Sequence, residues 1–344
     1  MRRLCTRPDP GVEAGGRRSA CRRTAGRGPV AYRKRVAADL HPTPGPAPIT
    51  SVRREVVARS AVVIVGLLAA AGVWATWRVF VGTYEGQLLD QAAFEGAELG
   101  RNQLWRVAEP VLDVISVPFI AAVLAIAVIV ALVRRRWLLA AQVVLLIAGA
   151  NASGQLLKYG VFERPDLEVG DRLANTLPSG HTIAATSCAV ALVLVVPRAW
   201  RAGVAVVGGL YAAGTGVSTL IGAWHRPGDV VAAVLVVLAW TCLARALGPS
   251  GSRGSRVQHK RESTAASLLL GAGVVAAGVA GLALMRTLEA LRQVEGQHHS
   301  TGLESREALF TAYAGGSLGI VAVCAAVFGV VLVVLRITEP APVP

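Results

Sequence analysis

Eight apolar stretches, each near the ~20 residues a helix needs to cross a hydrocarbon layer, constrain what this chain can become. They run at about 57–81, 111–133, 137–157, 181–196, 202–222, 228–247, 264–285 and 311–335. A backbone in lipid must satisfy its own N–H and C=O groups, so such stretches become helices. The expected fold is all-α: a polytopic membrane helix bundle with a six-span core and a C-terminal pair of spans. The expected parts are a basic tail at 1–55, the core at 56–247, a basic flexible linker at 248–263, the pair at 264–336 and a short tail at 337–344. The N-terminal tail is rich in Arg, Gly and Pro and has no apolar period, so it is expected to be disordered. It also lacks the apolar core of a secretory signal.

Net charge is +14, but it is concentrated. Thirteen of the 35 basic residues lie in 1–55 and five more in Arg245–Arg261. Such clusters beside apolar spans mark the cytoplasmic side and argue against a nucleic-acid partner. The Arg134-Arg135-Arg136 turn, the Arg198/Arg201 turn and the 245–261 segment all fall on the side of the N-terminal tail. Loop 83–109 carries Glu85, Asp90, Glu95, Glu98 and Glu109 against Arg101 and Arg106. The expected arrangement is a multi-pass plasma-membrane protein with both termini cytoplasmic and the intervening loops outside. The five cysteines show no Cys-x-x-Cys spacing, so neither disulfide nor zinc site is expected. Gly315-x-x-x-Gly319 and Ala277-x-x-x-Gly281 are spacings at which helices approach closely; they suit packing within the chain first and a homodimer second.

The outer ends of the spans carry the chemistry. Pro178-Ser179-Gly180-His181 precedes an apolar helix, and Trp224-His225-Arg226-Pro227-Gly228-Asp229 precedes the next but one. The two spans between them form a down-and-back pair, which returns the second histidine to the face of the first. Ser179 can cap its helix, and Gly180 allows its backbone N–H to approach an anion at the positive helix end. His181 is suited to protonate a leaving alkoxide, since its ordinary pKa lies near neutrality. His225 and Asp229 are four residues apart, so the carboxylate can hold one imidazole nitrogen and leave the other to attack phosphorus. Upstream, Lys158 and Arg164 offer a compact charge and a fork of donors for phosphate oxygens, although either alone could simply snorkel to headgroups. Lys158 stands out because the chain has 3 lysines against 32 arginines. His298-His299, in a later polar loop, fall short of the three or four convergent ligands of a metal site.

These three blocks resemble the signature of the type 2 phosphatidic acid phosphatase family, relatives of the vanadium haloperoxidases. The family pattern is Lys, six residues, Arg-Pro; then Pro-Ser-Gly-His; then Ser-Arg, five residues, His, three residues, Asp. Pro178–His181 matches the second block in full, and Ser218, His225 and Asp229 match the third at the family spacing. The first block departs by one residue, with five between Lys158 and Arg164. The third departs at Thr219, where the family has a phosphate-binding arginine; Arg226 and Arg172 are the candidate substitutes. The blocks and their helices cover about residues 110–247. The resemblance implies a phosphatase-like six-span core and a metal- and cofactor-independent hydrolase acting on a membrane lipid phosphate, a monoester or an isoprenoid diphosphate. It implies His225 as nucleophile forming a phosphohistidine, Asp229 as its orienter and His181 as acid. Lys158, Arg164, Ser179 and Gly180 would bind phosphate. With Thr219 in place of arginine, a catalytically weakened or inactive lipid-binding or scaffolding relative is the alternative. A transporter would need ionisable residues near the membrane midplane, and none is evident.

Overall fold

A computed structural model describes residues 49–101, 105–106, 108–110, 117–170, 174–248, 255–294 and 301–339. Arg172, His298 and His299, with nearly all of the N-terminal tail, lie outside the described residues. The regular elements are helical throughout, as the apolar pattern requires. Helix α1 (Ile49–Thr76) ends in a π-turn at Trp77–Val81, and α2 (Tyr84–Gly96) ends in a 3-10 turn at Ala97–Gly100. Next come α3 (Val117–Val133) and α4 (Trp137–Leu156), the latter closing in a π-turn at Leu157–Val161. They are followed by α5 (Gly180–Val195), α6 (Arg198–Ile221), α7 (Pro227–Ala246), α8 (Arg256–Gln293) and α9 (Arg306–Thr338).

Among the described residues, six helices are long and apolar enough to cross a membrane, as in a multi-pass membrane protein. Of the other two expected spans, α3 is described over 17 residues from Val117, and α5 is shorter, with 16. Helix α5 is bounded sharply, by the Ser179 cap at one end and Pro197 just past the other. At ~1.5 Å per residue it covers roughly 24 Å, short of a ~30 Å hydrocarbon core. It is buried along nearly its whole length, and α4, α6 and α7 enclose it.

Two boundaries differ from the expectation. The segment read as linker up to residue 263 is helical from Arg256 onward, because Ser255 and Gln258 form a reciprocal capping box there. The acidic loop after the first span contains α2, started by Thr83, whose hydroxyl accepts from the Gly86 N–H at 3.1 Å. This helix packs against α9 and α7.

The C-terminal pair is part of the same core. Helix α9 packs on α2, α6, α7 and α8. Phe328 is fully buried, its ring against Gly208 and Gly209 of α6. Gly316 lets Pro227, at the start of α7, come so close that an added Cβ would lie 2.7 Å from its Cγ. Of the small-residue spacings, Gly315 is used within the chain, against Ala283 of α8, whereas Gly319 and Gly281 face open space.

Candidate active site

Four loops meet where α4 ends and where α2, α5 and α7 begin. The loop after α4 is positioned by aromatic and amide groups. Trp77 stacks on Phe162 at 5.0 Å and donates Nε1–H to the Glu163 carbonyl at 2.9 Å. Asn175 Nδ2 lies 3.2, 3.1 and 2.9 Å from the carbonyls of Lys158, Phe162 and Leu177, tying this loop to the Pro-Ser-Gly-His segment. Gln87 of α2 donates to the carbonyls of Val81 and Pro165. Lys158 and Arg164 are both half-buried here.

The second loop caps α5. The Ser179 hydroxyl is fully buried and accepts from the Thr182 N–H at 3.4 Å and the Thr182 hydroxyl at 3.0 Å. The Ser179 N–H donates to the Asp229 carbonyl at 3.0 Å, which locks the two histidine loops together by backbone. Nothing crowds the outward face of Gly180, where the nearest atom to an added Cβ is Gln155 Nε2 at 3.9 Å. His181 follows, its ring 5.1 Å from that of Trp224, with His225 and Lys158 within electrostatic reach.

The third loop presents the candidate nucleophile. The chain leaves α6 through Gly222 and Ala223, the latter at φ 55, and the N–H groups of Trp224 and His225 both donate to the Thr219 carbonyl. His225 is 7% exposed, with Nδ1 3.2 Å from Asp229 Oδ2. A carboxylate oxygen only accepts, so Nδ1 carries a proton, and it is the other nitrogen that has the lone pair in the neutral ring. The same Oδ2 accepts from the Thr176 hydroxyl at 2.7 Å and the Arg226 N–H at 3.0 Å. Asp229 is thereby held in one place by three donors.

The cations follow a pattern that the motif spacing does not reveal. Thr219 is fully buried and turns its hydroxyl to the Gly216 carbonyl at 2.7 Å, so it contributes only its backbone carbonyl to the loop. Arg226 is 3% exposed and donates Nη2 and Nε to Gln91 Oε1 at 2.9 and 3.2 Å, with its guanidinium 5.4 Å from the Phe94 ring centre. Burial, then the Arg226 charge, lower the Arg164 pKa against the pull of Asp90 and Asp229, leaving it at about 10. The two guanidiniums therefore sit within electrostatic reach of each other and of Asp229, and Lys158 is within reach of His181.

Helix α2 also supplies a buried acid. Asp90 is 3% exposed and accepts from the Gly228 N–H at 2.9 Å, at the start of the helix that holds Asp229. Burial and then the Asp229 charge raise its pKa to about 7, against the opposing effects of the Gly228 N–H, Arg226 and Arg164. Sequence reasoning assigned no role to Thr176, Asn175, Asp90 or Gln91. The polar residues Gln87, Asp90 and Gln91 recur at helical spacing, the one signal that could have marked a buried polar face. An open cleft of about 310 Å³, lined by Arg101, Trp105, Gly222 and Trp224, adjoins His181 through Trp224. Among the described residues no group of three or more His, Cys, Asp or Glu is placed to hold a metal ion.

The arrangement offers an oriented imidazole, a second imidazole facing a cleft, and three cations with an open helix N-terminus around them. That set suits transfer of a phosphoryl group. No curated protein and no solved structure matches the chain. The family model of the PAP2 superfamily matches residues 137–253, which run from the first residue of α4 to just past α7 and contain all three blocks. The match bears out, over residues 137–253, the resemblance of the three blocks to the type 2 phosphatidic acid phosphatase family.

Proposed function

We propose that this protein is a membrane lipid phosphatase that cleaves a phosphate monoester or an isoprenoid diphosphate through a phosphohistidine. The observation carrying this reading is the His225–Asp229 pair, with Thr176 and the Arg226 N–H on the same carboxylate oxygen. His225 Nε2 attacks phosphorus, forming the N–P bond as the P–O bond to the lipid breaks. Asp229 stabilises the resulting imidazolium without taking its proton. His181 donates a proton to the departing oxygen, which leaves through the cleft beside Trp224. Water then attacks the phosphohistidine while His181 takes its proton; the N–P bond breaks and phosphate is released. Lys158, Arg164 and the N–H of Gly180 hold the phosphoryl oxygens, and Arg226 supplies the charge absent at Thr219; Ser179, expected to bind phosphate, instead gives its N–H to Asp229 and its hydroxyl to the helix cap. The cations carry the charge stabilisation, so the proposed cycle uses no metal or cofactor.

The substrate's tail stays in the bilayer of the plasma membrane. The charge distribution of the loops supports a site on the outside, with both termini in the cytoplasm. A panel of phosphatidate, phosphatidylglycerol phosphate and polyprenyl diphosphate, each with and without EDTA, tests substrate class and metal independence. Rapid quenching with labelled substrate should trap an acid-labile, base-stable phosphoprotein that is absent in His225→Gln. Turnover with no such species, or turnover in His225→Gln, would remove the covalent step. One observation favours the inactive alternative: the buried Thr219 side chain gives nothing to a phosphate. Folded protein inert on the whole panel would decide for that reading.

A further inference from the structure

At the end of α5 opposite His181, the Pro197 turn starts α6 with two buried arginines. Arg198 and Arg201 have side chains 3% exposed. Two carboxylates from the C-terminal pair oppose them, Glu262 of α8 and Glu339 just after α9, 2% and 1% exposed. Arg198 Nε lies 3.4 Å from Glu262 and its Nη2 lies 3.2 Å from Glu339, while Arg201 Nη1 lies 2.8 Å from Glu339 and 3.7 Å from Glu262. Arg198 Nη2 is also 3.2 Å from His259 Nε2, which must accept there because an arginine only donates. These four side chains balance as two charges of each sign.

The balance is broken from the other side. A cavity of about 260 Å³ lies over Pro197, walled by Arg134 and Arg136 from the α3–α4 turn, by Arg198 and Arg201, and by Gln258 of α8. Neither the Arg134 nor the Arg136 side chain makes a hydrogen bond or ion pair among the described residues. Arg201 Nε is buried with no acceptor. Such a donor is costly unless something accepts from it. His259 Nδ1 and Glu339 Oε1 are also unpartnered, but neither residue lines the cavity. Among the described residues, four arginines stand against two glutamates, two charges in excess, with the Arg201 Nε donor unused on the wall.

The surroundings indicate the source of the anion. Residues next in sequence to the lining ones are large, apolar and exposed: Val133 at 77%, Trp137 at 70% and Trp200 at 69%. Tryptophan beside a polar pocket, flanked by apolar surface, is the composition of the boundary between hydrocarbon and headgroups. We propose that this cavity is a second phosphate site, filled by the headgroup of an anionic phosphodiester lipid in the leaflet opposite the catalytic one. The headgroup oxygens accept from Arg201 Nε and from the forks of Arg134 and Arg136, joining the α3–α4 turn to α6 and α8.

The full chain is titrated with phosphatidylglycerol and, separately, with phosphatidylcholine, and retained lipid is counted by native mass spectrometry. Wild type should retain one phosphatidylglycerol in preference to phosphatidylcholine. Arg134→Ala/Arg136→Ala should weaken that retention by about 10-fold or more, as expected for loss of charge-assisted contacts. The fold tolerates this change because neither side chain has a partner to lose. Lys260→Ala/Arg261→Ala removes the same charge from an exposed stretch of α8 and should leave retention unchanged. Equal loss in both double variants, no preference for the anionic lipid, or no loss at all would overturn the site. Displacement of the lipid by millimolar inorganic phosphate would overturn its assignment to a lipid, leaving a soluble anion as the occupant.

Discussion

Replacing Asp90 by Asn should make the protein more stable, and increasingly so as pH rises. In the folded chain the carboxyl is buried against Gly228 and its pKa is raised from 3.8 to about 7. The unfolded chain releases this proton near its ordinary pKa, whereas the native chain holds it to about neutrality. Between these two values the native state binds more protons, so stability falls as pH rises. Below the ordinary carboxylate range the contribution is intact, and above the folded value it is wholly lost. A shift of roughly three units corresponds to about 4 kcal/mol.

Asn keeps an acceptor for the Gly228 N–H but cannot ionise. The variant's advantage should be near zero at about pH 4 and reach about 4 kcal/mol at about pH 8. At about 2 °C per kcal/mol that is roughly 8 °C in melting temperature. Intrinsic-fluorescence melts of detergent-solubilised wild type and Asp90→Asn across this range measure it. A difference that does not change with pH, or a variant less stable throughout, would refute the burial argument. Catalysis should follow the same titration. An ionised Asp90 competes with phosphate for Arg164 and Arg226, so wild-type activity should decline through about neutrality while the variant's persists.

His181→Ala should slow poor leaving groups far more than good ones, because only the former need a proton; equal losses on an alkyl and a nitrophenyl phosphate would contradict the acid role. Arg226→Ala should lower kcat/KM by about 10²-fold, comparable to Lys158→Ala, while Thr219→Arg should be neutral or harmful because a cation already stands beside Arg164. A gain in turnover from Thr219→Arg would show instead that the cradle lacks a charge. Single cysteines at Asp166 and Lys260, in a background without native cysteines, should respond oppositely to an impermeant thiol reagent on intact cells, with Asp166 labelled. Labelling of Lys260→Cys alone would invert the topology.

The helices and the meeting of three loops could be read from the sequence because apolar length and motif spacing are local properties. The position of Thr219's side chain could not be read, since a threonine at a helix end can point outward or back to the Gly216 carbonyl with the same spacing. Nor could the use of Arg226, which depends on Gln91, 135 positions away in the chain. Helix α2 was hidden by its own composition: Glu85, Asp90 and Glu95 read as an acidic loop, while Gln87, Asp90 and Gln91 are buried. The short first block, with five residues between Lys158 and Arg164, still leaves Lys158 within electrostatic reach of His181 and Arg164 within reach of Asp229. The Trp77–Phe162 stack that positions this loop involves a partner outside the matched stretch.

The contact of Gly316 with Pro227 bears on where this molecule can be cut. The stretch shared with its family stops at residue 253, yet the first residue of the helix holding Asp229 rests against a glycine more than sixty positions further on. Asp90 reaches Gly228 from well before the stretch begins. A fragment trimmed to the shared stretch would leave the start of that helix without support on two sides. It should fail as an enzyme even if every residue of the three blocks is retained. The unit inherited as a domain is smaller than the unit that folds.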